Sequence, residues 1–245
     1  MTQPSSARPV ETILAPAKLT VSLRITGVRD DGLHVIDAEM VTLDLVDELH
    51  IGPGSSLTIE GAGSDVDAGP DNLVNRALEL AGREASVHLV KRIPSQAGLG
   101  GGSADAAAIL RWAGFDDLEM ASRLGADIAF CLVGGRARVR GIGEIVDPLP
   151  LVDRTFTLVT PPLLCPTPAV YRAWDELGGP TGESANDLED AALVVQPELA
   201  RWRDELARAT GERPTLAGSG SSWFVPGAHP GAGRTVVRTT RQDGA

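Results

Sequence analysis

Apolar and polar positions change their spacing repeatedly along this chain, and each change marks an element. Over residues 12–27, Leu19, Val21, Leu23 and Ile25 alternate with other positions, the period-two pattern of a strand with one buried face. Arg29-Asp-Asp-Gly32 then supplies a turn, and residues 35–51 read as a longer strand region with a bend near Asp44. A short strand is expected at 57–60 and a Gly/Asp/Pro loop at 61–70, followed by a helix over 72–81 with Asp71 as N-cap and Gly82 as its stop. Residues 86–90 form a strand that feeds a glycine-rich segment, with helices at 103–113 and 117–124. Strands are expected again at 136–140 and 155–160. Thr167 and Pro168 predict a capping residue and a first helical position, for a helix that runs to about Leu177. Further helices fit 186–194 and 197–209, residues 215–225 read as a glycine turn entering a strand, and 234–239 as a last strand. Strands and helices mix without strict alternation and without internal repeats, which predicts an α+β fold. The prolines near 148–154 mark a boundary between an N-terminal domain, 1–150, and a C-terminal domain, 151–245.

Composition narrows this picture. Of the 245 residues 42% are hydrophobic but only 4% aromatic, so the core is expected to be built from Ala, Val, Leu and Ile. No apolar run has membrane-spanning length, and the opening MTQPSSARPVET lacks the charged-then-apolar order of a secretory signal. Cys131 and Cys165 sit in apolar contexts and read as buried thiols rather than a disulfide framework. A cytoplasmic protein is expected. The net charge of −11 argues against a nucleic-acid partner or an anionic membrane surface. A phosphorylated small molecule remains compatible, because a local cluster of N–H groups and one or two cations can hold it. Lysine occurs only at Lys18 and Lys91, every other basic residue of the Lys/Arg class being arginine.

The chemistry concentrates in the run from Pro94 to Leu110, PSQAGLGGGSADAAAIL. Gly98, Gly100, Gly101 and Gly102 lead through Ser103 into an alanine-rich helix. Glycines allow positive φ and close backbone approach, and a helix start presents unpaired N–H groups and a positive dipole end. Together these make an anion cradle suited to phosphate. A Walker A loop would end in Gly-Lys, which occurs nowhere in the chain. A dinucleotide fingerprint belongs in a first βα turn, whereas this loop lies mid-chain and its helix is followed by another helix.

The spelling P-x-x-x-G-L-G-G-G-S-A-D-A resembles the GHMP kinase superfamily. Other segments are similar, in order, to the 4-diphosphocytidyl-2-C-methyl-D-erythritol kinases within it. They are Ala15-Pro-Ala-Lys-Leu-Thr-Val-Ser-Leu23, Ile25-Thr-Gly27, Asp31-Gly-Leu-His34, Asp71-Asn-Leu73, Lys91-Arg-Ile-Pro94, Leu124-Gly-Ala-Asp-Ile-Ala-Phe130, Gly141-Ile-Gly-Glu144, Pro166-Thr-Pro168, Asn186-Asp-Leu-Glu189 and Gly218-Ser-Gly220. The likeness spans about residues 12–225. It implies ATP- and Mg²⁺-dependent phosphorylation of a hydroxyl on a cytidine-diphosphate-linked methylerythritol, a step of non-mevalonate isoprenoid synthesis. It also implies a two-domain fold with nucleotide and acceptor in the cleft between the domains.

The resemblance assigns roles that the residues themselves leave open. Asp127, between Gly125 and an apolar stretch, is the expected catalytic base, or else a helix N-cap. Lys18 is expected beside it as the cation that keeps it ionised, or else as a snorkelling strand lysine. Ser103 contacts phosphate or Mg²⁺, or only caps its helix. Lys91 and Asn72 are expected at the nucleotide. On the acceptor side stand His34, Thr20, Thr167 and Tyr171, with the Gly218-Ser219-Gly220 turn bringing N–H groups to the ligand. Thr20 stands where the family has asparagine, Leu33 where it has an aromatic residue, and Ala129 where it has proline. The competing readings are a GHMP kinase for a mevalonate-, homoserine- or sugar-type acceptor, and a non-catalytic nucleotide-binding homologue.

Overall fold

In the computed structural model, residues 10–62, 66–182 and 184–241 are described. The expected first strand is β1 (Glu11–Val28), and it pairs antiparallel with β2 (His34–Gly52) along almost its whole length. The register between them slips between Pro16 and Lys18, between Thr20 and Ser22, and between Ile25 and Gly27. Such bulges twist a long ribbon and re-aim side chains. β2 continues through Asp44 as one strand. Its other edge is shared, with Glu48–Gly52 pairing β4 (Ser86–Lys91) and Ile36–Val41 pairing β5 (Arg136–Gly141). β3 (Leu57–Gly61) lies parallel to β4, and β6 (Ile145–Leu149) closes the far edge beside β5. β6 was not expected from the sequence because Pro148 lies inside it. An edge strand tolerates a proline, since the missing N–H can face solvent.

The helices of this half are α1 (Leu73–Leu80), α2 (Gly101–Trp112), α3 (Leu118–Leu124) and α4 (Ile128–Val133). α2 packs against β1, α1 and α4, so it is apolar on nearly every side: Ala104, Ala106, Ala107, Ala108, Ile109 and Leu110 are all buried. Its alanines let it sit close to the sheet. Two starts differ from expectation. Asn72, not Asp71, caps α1, its Oδ1 accepting from the Val74 N–H at 2.9 Å. α2 begins at Gly101, two residues before Ser103. α4 is also additional; six apolar residues between Asp127 and Gly134 are too few to show a helical period.

A second sheet has the order β10-β7-β9-β8, from β7 (Thr155–Val159), β8 (Thr215–Leu216), β9 (Trp223–Pro226) and β10 (Thr235–Arg238). With it go α5 (Thr167–Glu176), α6 (Glu189–Val195) and α7 (Leu199–Thr210). Pro166, rather than Thr167, flanks α5 as its N-cap residue, which makes Thr167 the first helical residue. The two sheets are stitched by backbone. The Leu23 N–H donates to Ala185 O at 2.9 Å, the Asp187 N–H to Leu23 O at 3.0 Å, and the Thr240 N–H to Thr42 O at 3.0 Å. The core is aliphatic, with Trp223 and Phe130 the largest fully buried side chains, and the two cysteines are buried thiols outside any disulfide. Among the described residues no helix is long and apolar enough to cross a membrane.

Candidate active site

A cleft of about 720 Å³ opens where the glycine-rich segment, the middle of β1, the turn before α4, the start of α5 and the Gly218 turn converge. One side of it is made of backbone. Gly98 and Gly100 adopt φ of +76° and +68°, in the left-handed region that glycine alone enters without strain. Space excludes a side chain as firmly as conformation does. A Cβ on Gly98 would lie 2.1 Å from Ala217 O, and one on Gly100 would lie 2.7 Å from Lys18 Cγ. The glycine turn therefore rests directly on the Gly218 turn and on Lys18. The Ser222 N–H donates to Ala97 O at 3.2 Å and the Lys18 N–H to Leu99 O at 3.0 Å, fixing both contacts. The early start of α2 puts Gly101, Gly102 and Ser103 in its first turn. Their N–H groups have no helical carbonyl to meet, and Ala104 N–H is the first to find one, Gly100 O at 2.8 Å.

Asp127 and Lys18 meet in this cleft. The Lys18 ammonium lies 3.2 Å from Asp127 Oδ2 and donates to Thr20 Oγ1 at 3.1 Å. Lys18 is buried, whereas the Asp127 side chain keeps 30% of its surface open. Asp127 occupies the N-cap position of α4, yet its carboxylate makes no capping hydrogen bond. The capping reading therefore fails, and the carboxylate is left to the lysine and the cleft. Ser103 faces the same turn, its Oγ 3.7 Å from where a Cβ on Gly125 would stand. Thr20 stands where the family has asparagine, and its hydroxyl serves Lys18.

Lys91 lines the cleft with its ammonium already paired. It is buried beneath the glycine turn, and its Nζ pairs with Asp47 Oδ2 and, at 2.7 Å, with Asp105 Oδ2. Desolvation opposes its charge, but the two carboxylates outweigh that and hold it protonated, its pKa raised. Asn72 is likewise committed. Besides capping α1, its Nδ2 donates to Asp67 O at 2.8 Å, so it shapes the rim of the cleft.

Another part of the lining is made of side chains. The His34 Nε2 lies 2.8 Å from Asp175 Oδ1, and its ring sits 4.7 Å from that of Tyr171 and 5.5 Å, edge on, from Trp174. Burial pushes the Tyr171 hydroxyl above its ordinary range, and the nearby Asp127 charge adds to the shift. Thr167 Oγ1 bonds Ser219 Oγ at 2.8 Å, linking α5 to the Gly218-Ser219-Gly220 turn. Leu33, where an aromatic was missing, is exposed outside the lining of the cleft.

Sequence reasoning passed over four residues. Asn186 was quoted only as part of a motif. It is buried, and its Nδ2 donates to Gly218 O at 2.7 Å and Leu216 O at 2.9 Å, holding the turn in place. Asp47 and Asp105 are carboxylates in apolar surroundings, a signal visible in the sequence but not weighed. Asp175 gives no local signal, because its partner His34 is 141 positions away.

Comparison with known proteins gives a consistent result. Residues 72–135 match the model of the GHMP kinases N terminal domain. The chain is 40% identical to the 4-diphosphocytidyl-2-C-methyl-D-erythritol kinase of Paracoccus denitrificans, over 86% of this chain and 84% of that one. It is 37% identical to that of Pelotomaculum thermopropionicum, over 95% and 94%. Among solved structures, a crystal structure of 4-(cytidine 5'-diphospho)-2C-methyl-D-erythritol kinase superposes with a TM-score of 0.73 at 32% identity, covering 94% of this chain and all of the other. Methanococcus jannaschii mevalonate kinase shares the fold, with a TM-score of 0.60 at 11% identity. With identity at this level spread over most of its length, the chain belongs to the 4-diphosphocytidyl-2-C-methyl-D-erythritol kinase family of the GHMP kinases.

Proposed function

We propose that Asp127 is the base of an ATP-dependent kinase reaction in this cleft, with Lys18 as its partner and the glycine turn as the holder of the triphosphate. The reaction is phosphorylation of a hydroxyl of 4-diphosphocytidyl-2-C-methyl-D-erythritol, in non-mevalonate isoprenoid precursor synthesis. The observation that carries the reading is the carboxylate of Asp127: it starts a helix, caps nothing, and sits 3.2 Å from a buried ammonium in the same cleft as the glycine turn.

The chemistry follows from placement. Gly98 and Gly100 shape the turn, and the N–H groups of Gly101, Gly102 and Ser103 receive phosphate oxygens. The acceptor hydroxyl gives its proton to Asp127 as its oxygen bonds the γ-phosphorus, and the bond from that phosphorus to ADP breaks. Lys18 keeps Asp127 ionised before the transfer and offsets negative charge around the transferring group. Positioning and electrostatics suffice, so no covalent enzyme intermediate is needed. Ser103 would hold Mg²⁺, which supplies neutralisation of phosphate charge when bound. The donor it offers such a cation is a hydroxyl oxygen at the α2 start.

His34, Tyr171, Thr167 and Thr20 line the same cleft and receive the acceptor, with the N–H groups of Gly218 and Ser219 at its phosphate end, whereas the Gly220 N–H is spent on Ala217 O at 2.9 Å. A division into domains 1–150 and 151–245 belongs to the same reading. One sheet ends at Leu149, the other begins at Thr155, and the cleft draws residues from both segments.

The test is ADP release by the purified protein with Mg-ATP and, separately, 4-diphosphocytidyl-2-C-methyl-D-erythritol, mevalonate and homoserine. Turnover of the first acceptor alone is expected. Turnover of another acceptor alone would overturn the acceptor, and ATP binding without turnover of any would make the chain a binding module.

A further inference from the structure

The run Gly141-Ile-Gly-Glu144 joins β5 to β6 at the tip of a hairpin on the edge of the first sheet. Hairpin tips normally stand in solvent. This one turns inward: Gly143 is buried, and Ile142 lines the cleft that Ala126 and Asp127 also line.

The residue types explain how the turn is held so tightly. Gly141 and Gly143 adopt φ of +71° and +115°, conformations open to glycine and strained for other residues. The Glu144 side chain folds back over the turn, its Oε2 accepting the Ile142 N–H at 2.6 Å. A Cβ on Gly141 would collide with that carboxylate, so the first glycine is what lets the glutamate close the turn. The backbone adds a longer bond, from the Gly143 N–H to Arg140 O at 3.3 Å.

The apex meets the loop before α4 through backbone alone. A Cβ on Gly143 would collide with Ala126 O and stand 3.1 Å from the Ala126 carbonyl carbon and 3.3 Å from its Cα. Ala126 is the residue before Asp127. On its other side that loop is held by the Ile128 N–H, which donates to Gly125 O at 3.0 Å, and the Cys131 N–H, which donates to Asp127 O at 3.0 Å. Because the Asp127 side chain makes no capping bond, the direction of its carboxylate depends on where its own backbone sits. A misplacement of about 1 Å can cost a reacting group about 10²-fold in rate. A methyl group at Gly143 would force a displacement of that size, since ordinary contact with the Ala126 oxygen begins about 1 Å farther out.

We propose that the β5–β6 turn is a positioning element for Asp127, with the Gly143 backbone as a stop against the Ala126 peptide and Glu144 as the brace that keeps the stop in place. This rests on the assignment of Asp127 as base and extends it to two residues that do not line the cleft themselves. A turn that merely closed a hairpin would behave differently when altered. It would lower stability and every function together, whereas loss of positioning lowers kcat and spares the binding of ATP and acceptor.

The experiment is steady-state kinetics and ATP titration of the whole protein, with Mg-ATP and 4-diphosphocytidyl-2-C-methyl-D-erythritol. In Gly143→Ala, kcat should fall about 10²-fold while the ATP dissociation constant and the acceptor KM stay within about threefold of wild type. Added to Asp127→Asn, the same substitution should cost less than about threefold more, because the group it positions is already gone. Glu144→Ala should lower kcat about tenfold, and Glu144→Gln, whose amide oxygen still accepts the Ile142 N–H, should recover most of that rate. A folded Gly143→Ala with the kcat of wild type overturns the proposal. So does a loss of ATP and acceptor binding in step with kcat, or a full 10²-fold penalty in the Asp127→Asn background. Should Gly143→Ala fail to fold, the Glu144 pair decides, and equal kcat in Glu144→Ala and Glu144→Gln overturns it. The parent reading fails separately, when Asp127→Asn alone turns over as fast as wild type; a fast Gly143→Ala beside a slow Asp127→Asn ends only the positioning role.

Discussion

The two walls of the cleft are built from different materials. The wall proposed for the phosphates is backbone: Gly98 and Gly100 in left-handed conformations, the N-terminus of α2, and buried carboxylates beneath. The wall proposed for the acceptor is side chain: His34 against Tyr171 and Trp174, held by the half-exposed Asp175, with Thr167 bonded to Ser219. Backbone N–H groups accept any phosphate, and side chains decide which molecule carries it.

The contrast predicts where mutations act. The largest effect belongs to Asp127, between the walls: Asp127→Asn should lower kcat by about 10²- to 10⁴-fold while ATP affinity stays near wild type. Unchanged turnover would remove it from the base role. On the phosphate wall, Gly98→Ala should abolish ATP binding and lower Tm. The left-handed backbone alone costs about 1–2 kcal/mol, and the Cβ also meets Ala217 O. ATP binding as tight as wild type would contradict the backbone cradle. On the acceptor wall, His34→Ala should raise KM for the acceptor by about 10-fold and leave KM for ATP alone, the cost of losing one well-placed contact. Asp175→Asn, which only loosens His34, should produce the same pattern at about a few-fold, because the Asp175 end of the pair is half exposed. A rise in KM for ATP in either would break the comparison.

A smaller signal concerns stability. The folded chain keeps the Asp105 proton up to about pH 8, whereas the unfolded carboxyl releases it near 3.8. The folded state therefore holds the extra proton across that window, and stability falls as pH rises through it. Asp105→Asn should show a shallower decline of Tm between pH 5 and 8, measured by thermal unfolding. A decline parallel to wild type would contradict the shift.

What the sequence revealed follows the same division. The glycine turn was legible because close approach leaves only glycine, and its composition advertises it before any partner is known. The long strands were legible because Leu19, Leu23 and Ile25 keep one buried face. α4 and β6 were not, one being six residues long and the other carrying Pro148. The pairing of Lys91 was not legible because its rarity signals importance without direction: Asp47 and Asp105, which meet its ammonium, lie 44 and 14 positions away. Asp127 read locally as a cap, and only its missing capping bond and the nearby Lys18 distinguish the two roles.

The central claim, that the turn after Ile93 grips the triphosphate while Asp127 faces the acceptor, is tested most directly by a crystal structure with a non-hydrolysable ATP analogue and acceptor. The account predicts phosphate oxygens within hydrogen-bond distance of the N–H groups of Gly101, Gly102 and Ser103, and an acceptor hydroxyl on Asp127. A triphosphate bound elsewhere, or an acceptor hydroxyl out of reach of that carboxylate, would contradict it.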